Sequence, residues 1–397
     1  MQPTRIAEGA ADFPNPTPVR IAFHTPLNAY DDGRISGDRR MAHQLVAVLE
    51  GLGHVVEPVL AARDFMPTAD AERLARHQNE AAARAQAMLA RWRDGAPAPE
   101  LWFTYHNYYK APDLLGPAIV ERLGIPYVVA EASDAERRAS GDWAAHTRIV
   151  RSGLSAADLH LHFTDRDRQG LEPWRSTHTA LLELPPFIAF REEPPRHVGD
   201  ATVPRLVTVA MMREGTKQNS YLALARVLGH VVDRPWTLTV IGDGRQRAEI
   251  ERAFAGLPEG RINWLGAVPH DRVVAEMAAH DVFIWPGVRE AYGLVYLEAQ
   301  AVGLPIVAFD SGGVSATVRS GETALLAPEG DEAALAAALL NLLDDRALRR
   351  AMGRAARRFA LNERNPAKAA LILERGLALA VANRAARPHA ATAEPRS

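Results

Sequence analysis

Cysteine is absent from the 397-residue chain, and lysine is scarce. Without thiols the protein forms no disulfide, offers no thiolate to zinc and has no cysteine nucleophile. Only three of the 46 basic residues are lysines, namely Lys110, Lys217 and Lys368. The arginine bias is typical of nucleotide composition rather than of a function, so each of the three lysines is a candidate for chemistry.

Long hydrophobic runs and a secretory signal are also lacking. No apolar segment approaches the roughly 20 residues of a bilayer span, and residues 1–18 contain no apolar core of the kind that a signal peptide needs. The formal net charge of −2 gives no general attraction to nucleic acid, so nucleic acid is not an expected partner. The composition therefore predicts a cytoplasmic enzyme of bacterial type with room for two domains.

Short apolar runs alternate with amphipathic helical patterns in both halves of the chain, which predicts an α/β fold with parallel sheets. The segment 190–204 is charged and aperiodic and contains prolines, as a linker does. We therefore predict an amino-terminal domain over residues 1–189, a linker over 190–204, a carboxyl-terminal domain over 205–359 and a disordered tail over 385–397.

The stretch 281–313 organises the carboxyl-terminal half. Its pattern is strand, polar loop, helix and second strand, and ligands of such units bind beyond the carboxyl ends of the strands. Glu290 lies in the loop at that end, and Glu298 lies near the start of the helix. A helix N-terminus favours phosphate, which repels carboxylates, so we expect the two acids to face sugar hydroxyls.

Other strand exits of this half lead to the same edge. Arg213 and Lys217 follow the apolar run at 206–210, and a turn with Gly242 and Gly244 follows the next apolar run. Two cations at one edge suit a diphosphate. The alternative for the Arg-Lys pair is the solvated start of an ordinary helix, which the convergence with the other exits disfavours.

Candidate residues of the amino-terminal half lie in its first loop and after a buried strand. Gly33 and Gly37 lack the GxGxxG spacing of a dinucleotide site, so a nicotinamide dehydrogenase is not expected. We predict that this loop approaches the phosphate side of a ligand, the alternative being a flexible loop with incidental glycines. His106 stands where an open α/β sheet presents its site. The pair His160 and His162 has no further ligand at a suitable spacing, so no metal site is predicted.

The motifs of the carboxyl-terminal half resemble those of the retaining nucleotide-sugar glycosyltransferases of family four, the group 1 glycosyltransferases with the GT-B fold. They are Arg213 with Lys217, VIGDG at 240–244, WLG at 264–266, the acids around YGL at 292–294, GLPIVAFDSGG at 303–313, GETALLAPEGD at 321–331 and MGRAA at 352–356. Each motif is weak alone, whereas the set is specific. The amino-terminal half matches only in pattern, with a glycine loop, GHVVEPVL at 53–60 and a histidine after a buried strand.

The resemblance implies two Rossmann-like domains that face each other across a cleft, with a helix at about 360–384 crossing back to the amino-terminal domain. The implied reaction transfers a sugar with retention from a nucleotide-diphosphate sugar, such as a UDP or GDP sugar, to a glycan, lipid-linked or small-molecule acceptor. It requires no metal and no other cofactor. Front-face attack, in which the leaving phosphate takes the acceptor proton, dispenses with the carboxylate nucleophile of a retaining hydrolase.

The resemblance also implies a role for each candidate residue. Glu298 holds the ribose of the donor nucleotide, and Glu290 lies by the donor sugar. Arg213 and Lys217 neutralise the diphosphate and stabilise its departure, while His106 faces the sugar from the acceptor side. Backbone groups contact sugar and phosphate at Ala291, Tyr292, Gly293 and Leu294.

Departures from the family pattern concern the donor. Ala291 and Gln218 stand where the family has glycine, so the identity of the donor sugar stays open. Two alternative functions also stay open, a nucleotide-sugar epimerase of the GT-B fold and a catalytically silent module that binds nucleotide sugars. Peripheral contact with the inner face of a membrane is open as well, because many members of the family glycosylate lipid-linked acceptors.

Overall fold

The computed structural model describes residues 17–31, 36–60, 63–197 and 201–387. Within these ranges the chain forms two six-stranded sheets in which neighbouring strands are parallel. The strands are β1 (Arg20–His24), β2 (Val55–Pro58), β3 (Leu101–Asn107), β4 (Tyr127–Ala132), β5 (Leu159–His162), β6 (Ala180–Glu183), β7 (Arg205–Val209), β8 (Thr237–Ile241), β9 (Ile262–Gly266), β10 (Val282–Ile284), β11 (Ile306–Asp310) and β12 (Ala324–Pro328). Their orders are β2-β1-β3-β4-β5-β6 and β12-β11-β10-β7-β8-β9.

Helices connect the strands and cover the sheets. They are α1 (Gly37–Gly51), α2 (Ala71–Arg93), α3 (Gly116–Leu123), α4 (Ala144–Ala156), α5 (Asp165–Leu171), α6 (Thr216–Gly229), α7 (Arg247–Phe254), α8 (His270–Ala278), α9 (Leu294–Val302), α10 (Glu332–Asp344), α11 (Arg346–Glu363) and α12 (Pro366–Ala386). Because both faces of such a sheet are covered, its central strands are continuous apolar runs. All residues of β3 and β10 are buried, for example.

The predicted α/β fold with two Rossmann-like parallel sheets is confirmed. The sequence pattern did not predict α4, α5 or β12. Three of the five buried residues of α4 are His146, Thr147 and Gly153, and α5 has seven residues, so neither produces a long apolar periodicity. Strand β12 lies inside the GETALLAPEGD segment, where its five residues are bounded by Gly321 and Gly330.

The last helix packs against the first sheet. Leu373 and Leu377 of α12 lie in the same buried cluster as Phe23 of β1, and the helix contacts β4, β5 and β6. It ends at Ala386, two residues inside the tail that the composition predicted as disordered. Residues 388–397 of that tail lie outside the described ranges.

The start of α9 fixes the second sheet against the first. Tyr292, Leu294 and Leu297 are buried in the cluster that contains the core of the first sheet. Since Glu290 precedes them by a few residues, the loop that carries it is held between the two sheets. Among the described residues no helix combines the length and the apolar character needed to cross a membrane.

Candidate active site

The candidate site lies at the carboxyl ends of the strands of both sheets. Lys217, the second residue of α6, follows β7, and Glu290 follows β10, which is the neighbour of β7 in the sheet. The Lys217 Nζ lies 2.5 Å from the Glu290 Oε2. The Trp285 indole N–H donates to the same oxygen at 3.3 Å, and the ammonium lies 5.6 Å from the centre of the indole ring. Both side chains of this pair are partly buried, and the lower effective dielectric constant around them strengthens the attraction between their charges.

Two glycines determine where Glu290 lies. The Gly313 N–H donates to the Glu290 carbonyl at 2.9 Å. A Cβ on Gly312 would collide with the Glu290 carbonyl, and one on Gly313 with that of Ala291. The Ser311 hydroxyl accepts from the Arg289 N–H at 2.7 Å. The turn after β11 therefore packs directly on the loop after β10 and holds it in place.

Arg213 lies in the loop between β7 and α6, but it does not join the Lys217–Glu290 pair. Its side chain is exposed. Within the described ranges its guanidinium makes no hydrogen bond and no ion pair. The structure thus places Arg213 near the edge as predicted, with its guanidinium available to a ligand, and its role stays a prediction.

Gly242 and Gly244 have a structural explanation that the sequence did not reveal. Both have positive φ, at 144° and 154°. An added Cβ would collide with the carbonyl of Ala210 at the first position and with that of Met212 at the second. The two glycines therefore allow the turn after β8 to pack on the loop after β7. Their predicted contact with the donor is a separate matter and stays a prediction.

His106 is the sixth residue of β3 rather than the residue after it. It has a positive φ of 72°, which is uncommon for a residue with a side chain. Its Nδ1 pairs with the Glu131 carboxylate, and its Nε2 lies 3.8 Å from Asp38 Oδ1. Burial lowers the pKa of His106 to about 3, so the ring is neutral at physiological pH.

Asp38 also lies at the candidate site, although the sequence pattern did not predict it. It lies in the first turn of α1, after β1, with 36% of its side chain exposed. Burial, followed by the charge of Glu290, raises the pKa of Asp38, and the charge of Lys217 opposes this. The charges of Glu290 and Lys217 therefore act on Asp38, which belongs to the helix after the first strand of the other sheet. The sequence feature that could have indicated Asp38 is its position next to Gly37, after the first strand.

Glu298 is held from both sides of the cleft. Its carboxylate forms an ion pair with Arg40 of α1, and its Oε1 lies 2.8 Å from the Nε2 of His270, the first residue of α8. Burial lowers the pKa of Arg40 to about 10. Burial and the charge of Arg40 lower the pKa of His270 to about 4. The sequence predicted neither partner, because they are remote from Glu298 along the chain.

The segment from Ala291 to Leu294 leads from the Glu290 loop into α9. Ala291 is exposed, whereas Tyr292 is buried and its hydroxyl lies 2.8 Å from that of Tyr105. Gly293 precedes the helix with a φ of 74°, and an added Cβ would lie 2.7 Å from the Tyr296 ring. The predicted backbone contacts to sugar and phosphate stay predictions. Tyr292 and Leu294 have in addition a packing role against the first sheet.

The predictions for the two glycines of the first loop have different outcomes. Gly33 lies outside the described residues. Gly37 is not part of a loop, because it is the first residue of α1, after a cap in which Ser36 Oγ accepts from the Arg39 N–H at 3.2 Å. A Cβ at Gly37 would meet no atom within 4 Å. The packing of the protein alone therefore does not require glycine at this position.

Residues 203–345, from β7 to the end of α10, match the family model described as Glycosyl transferases group 1. The chain contains a Glycosyl transferases group 1 domain. This domain includes Arg213, Lys217, Glu290 and Glu298, whereas Asp38, Arg40 and His106 come from the part of the chain that precedes it.

Curated relatives of the group 1 domain transfer sugars according to their names. The chain is 40% identical over 132 residues to 2-deoxystreptamine glucosyltransferase of Streptomyces kanamyceticus, which is 33% of this chain and 34% of the relative. It is 28% identical over 292 residues to D-inositol 3-phosphate glycosyltransferase of Pseudarthrobacter chlorophenolicus, 68% of this chain and 69% of the relative. The first three curated relatives are matched over only 24% to 34% of their own length.

Solved structures similar to the whole chain define its fold. Sucrose-phosphate synthase from Thermosynechococcus elongatus has a TM-score of 0.67 at 18% identity, covering 90% of this chain and 98% of that one. Anabaena HepE in complex with UDP and glucose has a TM-score of 0.64 at 17% identity, covering 90% and 99%. The predicted GT-B fold is confirmed. The family and its named relatives support a transferase and give no support to an epimerase or a silent module.

Proposed function

We propose that the protein transfers a sugar from a nucleotide-diphosphate sugar to an acceptor with retention of the anomeric configuration. The observation that carries the proposal is the arrangement of charge at the cleft. The charges of the Lys217–Glu290 pair of the group 1 domain act on Asp38, whose Oδ1 lies 3.8 Å from the Nε2 of neutral His106 in the first sheet. A cation held next to acids and a neutral ring in a partly dry cleft suits a substrate that has both phosphates and hydroxyls.

Lys217 and Arg213 act on the leaving group in this proposal. When the bond between the anomeric carbon and the diphosphate oxygen breaks, negative charge grows on the phosphate, and the two cations stabilise that charge. The acceptor hydroxyl forms its new bond on the same face of the sugar. Its proton passes to the departing phosphate oxygen, so the charges balance without a protein nucleophile.

Glu290, Asp38 and His106 bind the sugar in this proposal. Carboxylate oxygens accept hydrogen bonds from sugar hydroxyls, and Glu290 is turned towards the cleft by Lys217 and Trp285. The low pKa of His106 keeps its ring neutral, so its Nε2 can accept a hydrogen bond from a hydroxyl. This nitrogen is buried and has no hydrogen-bond partner among the described residues. A ligand hydroxyl would satisfy it.

In this proposal the donor nucleotide binds at the start of α9. Glu298 binds the ribose hydroxyls, and the backbone from Ala291 to Leu294 binds sugar and phosphate. The N-terminus of α9 adds a partial positive charge that suits the diphosphate. UDP and GDP sugars are the proposed donors. The structure of HepE in complex with UDP and glucose supports this class of donor, and its 17% identity to the chain establishes only the shared fold.

We propose further that the reaction needs no metal and no organic cofactor, since Lys217 and Arg213 supply the charge that a metal would provide. The proposed location is the cytoplasm, where nucleotide sugars are available. The acceptor is a glycan, a lipid-linked saccharide or a small molecule, and a lipid-linked acceptor would bring the enzyme to the inner face of the membrane.

A direct test begins with UDP, GDP and ADP in isothermal titration calorimetry, because a ligand of the folded state binds with a measurable Kd and raises the Tm. We expect one diphosphate to bind more tightly than the others. The matching sugar nucleotide is then followed by proton NMR with a panel of acceptors, with and without EDTA. Retention appears as an α-linked product from an α-linked donor. Binding of none of the three diphosphates would overturn the proposal, and loss of turnover in EDTA would overturn metal independence.

A further inference from the structure

A cavity of about 540 Å³ lies at the amino-terminal edge of the second sheet, remote from the candidate active site. Asp281, immediately before β10, and Gly303, immediately after α9, form part of its wall. The Glu290 loop lies at the other end of β10, and the donor segment lies at the other end of α9. The cavity is therefore separate from the cleft where the sugar nucleotide is proposed to bind.

Positive charge dominates the wall of this cavity. Seven arginines line it, namely Arg196, Arg346, Arg349, Arg350, Arg354, Arg357 and Arg358. The acid among the lining residues is Asp281, and its carboxylate is already bound by Arg205 at 3.1 Å and lies 3.4 Å from the His197 Nε2. Arg357 pairs with Glu193, so the excess positive charge of the wall lies mainly on Arg196, Arg354 and Arg358.

Helix α11 concentrates this charge on one face. Arg346, Arg350, Arg354 and Arg358 recur every fourth residue, so they form one ridge of the helix. Like charges at this spacing repel. The single acid in α11 is Glu363, which pairs with Arg319. An ordinary solvated helix mixes charges instead, as Glu72 and Arg76 do in α2.

The base of the cavity is firmly built. Arg349 is 9% exposed and donates to the Leu342 and Leu343 carbonyls at 2.5 and 3.0 Å, at the end of α10. Arg357 donates to the Ala301 carbonyl of α9 at 2.5 Å. A Cβ on Gly353 would collide with the carbonyl of Gly303, so glycine lets α11 approach this wall closely.

The rim of the cavity differs from its base. Arg354 and Arg358 are exposed, and in the part of the chain that the structure describes neither side chain makes a hydrogen bond or an ion pair. The same holds for Arg196 on the facing segment. Guanidinium groups of this kind bind phosphate oxygens in pairs of parallel hydrogen bonds.

We propose that the arginine-lined cavity binds an anion that contains several phosphate oxygens. Its volume falls in the range of small-molecule sites. Two sources share this chemistry, a free phosphate ester and the phosphate headgroup of an anionic lipid. The site does not depend on the transfer reaction, since no residue of the Lys217–Glu290 cleft lines it.

Inorganic tripolyphosphate is the probe for the free anion, measured by calorimetry on the whole chain. The Lys217→Ala background weakens competing binding at the cleft. In that background, Arg354→Ala with Arg358→Ala should weaken binding about tenfold or more, because charge-assisted hydrogen bonds are lost. Arg252→Ala with Arg375→Ala removes the same charge from exposed helix positions elsewhere and should leave the Kd unchanged.

A second arm tests the lipid source with vesicles of phosphatidylglycerol and of phosphatidylcholine. Sedimentation with phosphatidylglycerol alone, lost in the Arg354/Arg358 variant, assigns the site to a headgroup. Tripolyphosphate binding without vesicle binding assigns it to a free phosphate ester. The melting temperature shows that the variant is folded. If neither probe distinguishes the Arg354/Arg358 variant from the Arg252/Arg375 control, the proposal is wrong.

Discussion

Lys217 is one of three lysines in the chain, and its environment suits a lysine better than an arginine. Its ammonium fits between the Glu290 carboxylate and the Trp285 ring. A compact point charge can turn from Glu290 to a phosphate by rotation of its stem, whereas a planar guanidinium needs more room. In the proposed function this lysine changes partner when the donor arrives.

Lys217→Ala should lower kcat about 100- to 1,000-fold, as expected for loss of a preorganised charge at a leaving group. Lys217→Arg should recover part of the rate. The measurement is the initial rate of sugar transfer with the donor identified by calorimetry. Lys368→Ala is the matched control, since Lys368 is an exposed residue in the first turn of α12. A Lys217→Ala variant with undiminished transfer would contradict the mechanism.

Single residues were partly predictable from sequence. Lys217 and Glu290 were expected at the same edge because each follows a strand of a parallel sheet, and the structure places them in contact. Asp38 and Arg40 were not predicted. They act across the cleft, and the periodicity of α1 contains no information about which residues of the other domain face it. The chemical roles of all these residues stay predictions.

At the scale of elements, the turns after the strands depend on close backbone contact. Gly242→Ala should lower the free energy of unfolding by about 2 kcal/mol or more, because it combines an unfavourable φ with a collision at the Ala210 carbonyl. Gly229→Ala, at the end of α6, meets no atom within 4 Å and should be neutral or stabilising by up to about 1 kcal/mol. Urea unfolding measures both, and equal destabilisation would refute the packing argument.

The strands of the first sheet contain buried histidines, and His160 of β5 gives a pH prediction. Its ring is fully buried, its Nε2 lies 3.0 Å from the Leu154 carbonyl, and burial lowers its pKa to about 4 from an ordinary 6.5. Above pH 6.5 neither state is protonated. As the pH falls below 6.5, the unfolded state binds a proton at His160 and the folded state does not. The free energy of unfolding therefore falls until about pH 4.

The cost from His160 alone should reach roughly 2 kcal/mol between pH 7 and pH 5. His160→Gln keeps a neutral donor and should reduce the loss of stability over that interval by this amount, measured by urea unfolding at both pH values. His230→Gln is the control, since His230 lies exposed after α6. An unchanged pH dependence in His160→Gln would show that His160 does not titrate on unfolding.

Long periodic elements and buried strands were predictable, whereas helices α4 and α5 were not. The apolar run at 206–210, for example, corresponds to β7 within one residue at each end. Helix α4 was missed because three of its five buried residues are His146, Thr147 and Gly153, which give no apolar pattern. His106 was placed after β3 because an apolar run ends before it. Hydrogen bonding between strands, which the sequence does not show, extends β3 to Asn107.

At the scale of the whole molecule, Arg40 and Glu298 join the two domains at the proposed ribose site. A ribose that binds Glu298 must compete with Arg40 for the carboxylate. Arg40→Ala should therefore tighten binding of the nucleoside diphosphate by about three- to tenfold, because the Glu298 carboxylate no longer has to leave Arg40 before it can bind the ribose. Glu298→Ala should weaken binding about tenfold or more.

Calorimetry with the same nucleoside diphosphate tests whether the two variants change its Kd in opposite directions. Arg39→Ala would be a poor control because Arg39 is buried. Arg375→Ala is suitable, as it removes an exposed arginine from α12. If Arg40→Ala weakens binding as much as Glu298→Ala does, Arg40 is itself a ligand of the nucleotide and the competition model is wrong.

The position of α12 has a consequence for how the chain acquires its structure during synthesis. The second sheet is complete once β12 and α10 have left the ribosome, since all of its strands lie between residues 205 and 328. The first sheet is translated earlier, yet its core still lacks Leu373 and Leu377. The domain that is made first therefore finishes its core last, and until then it exposes apolar surface that a chaperone can bind.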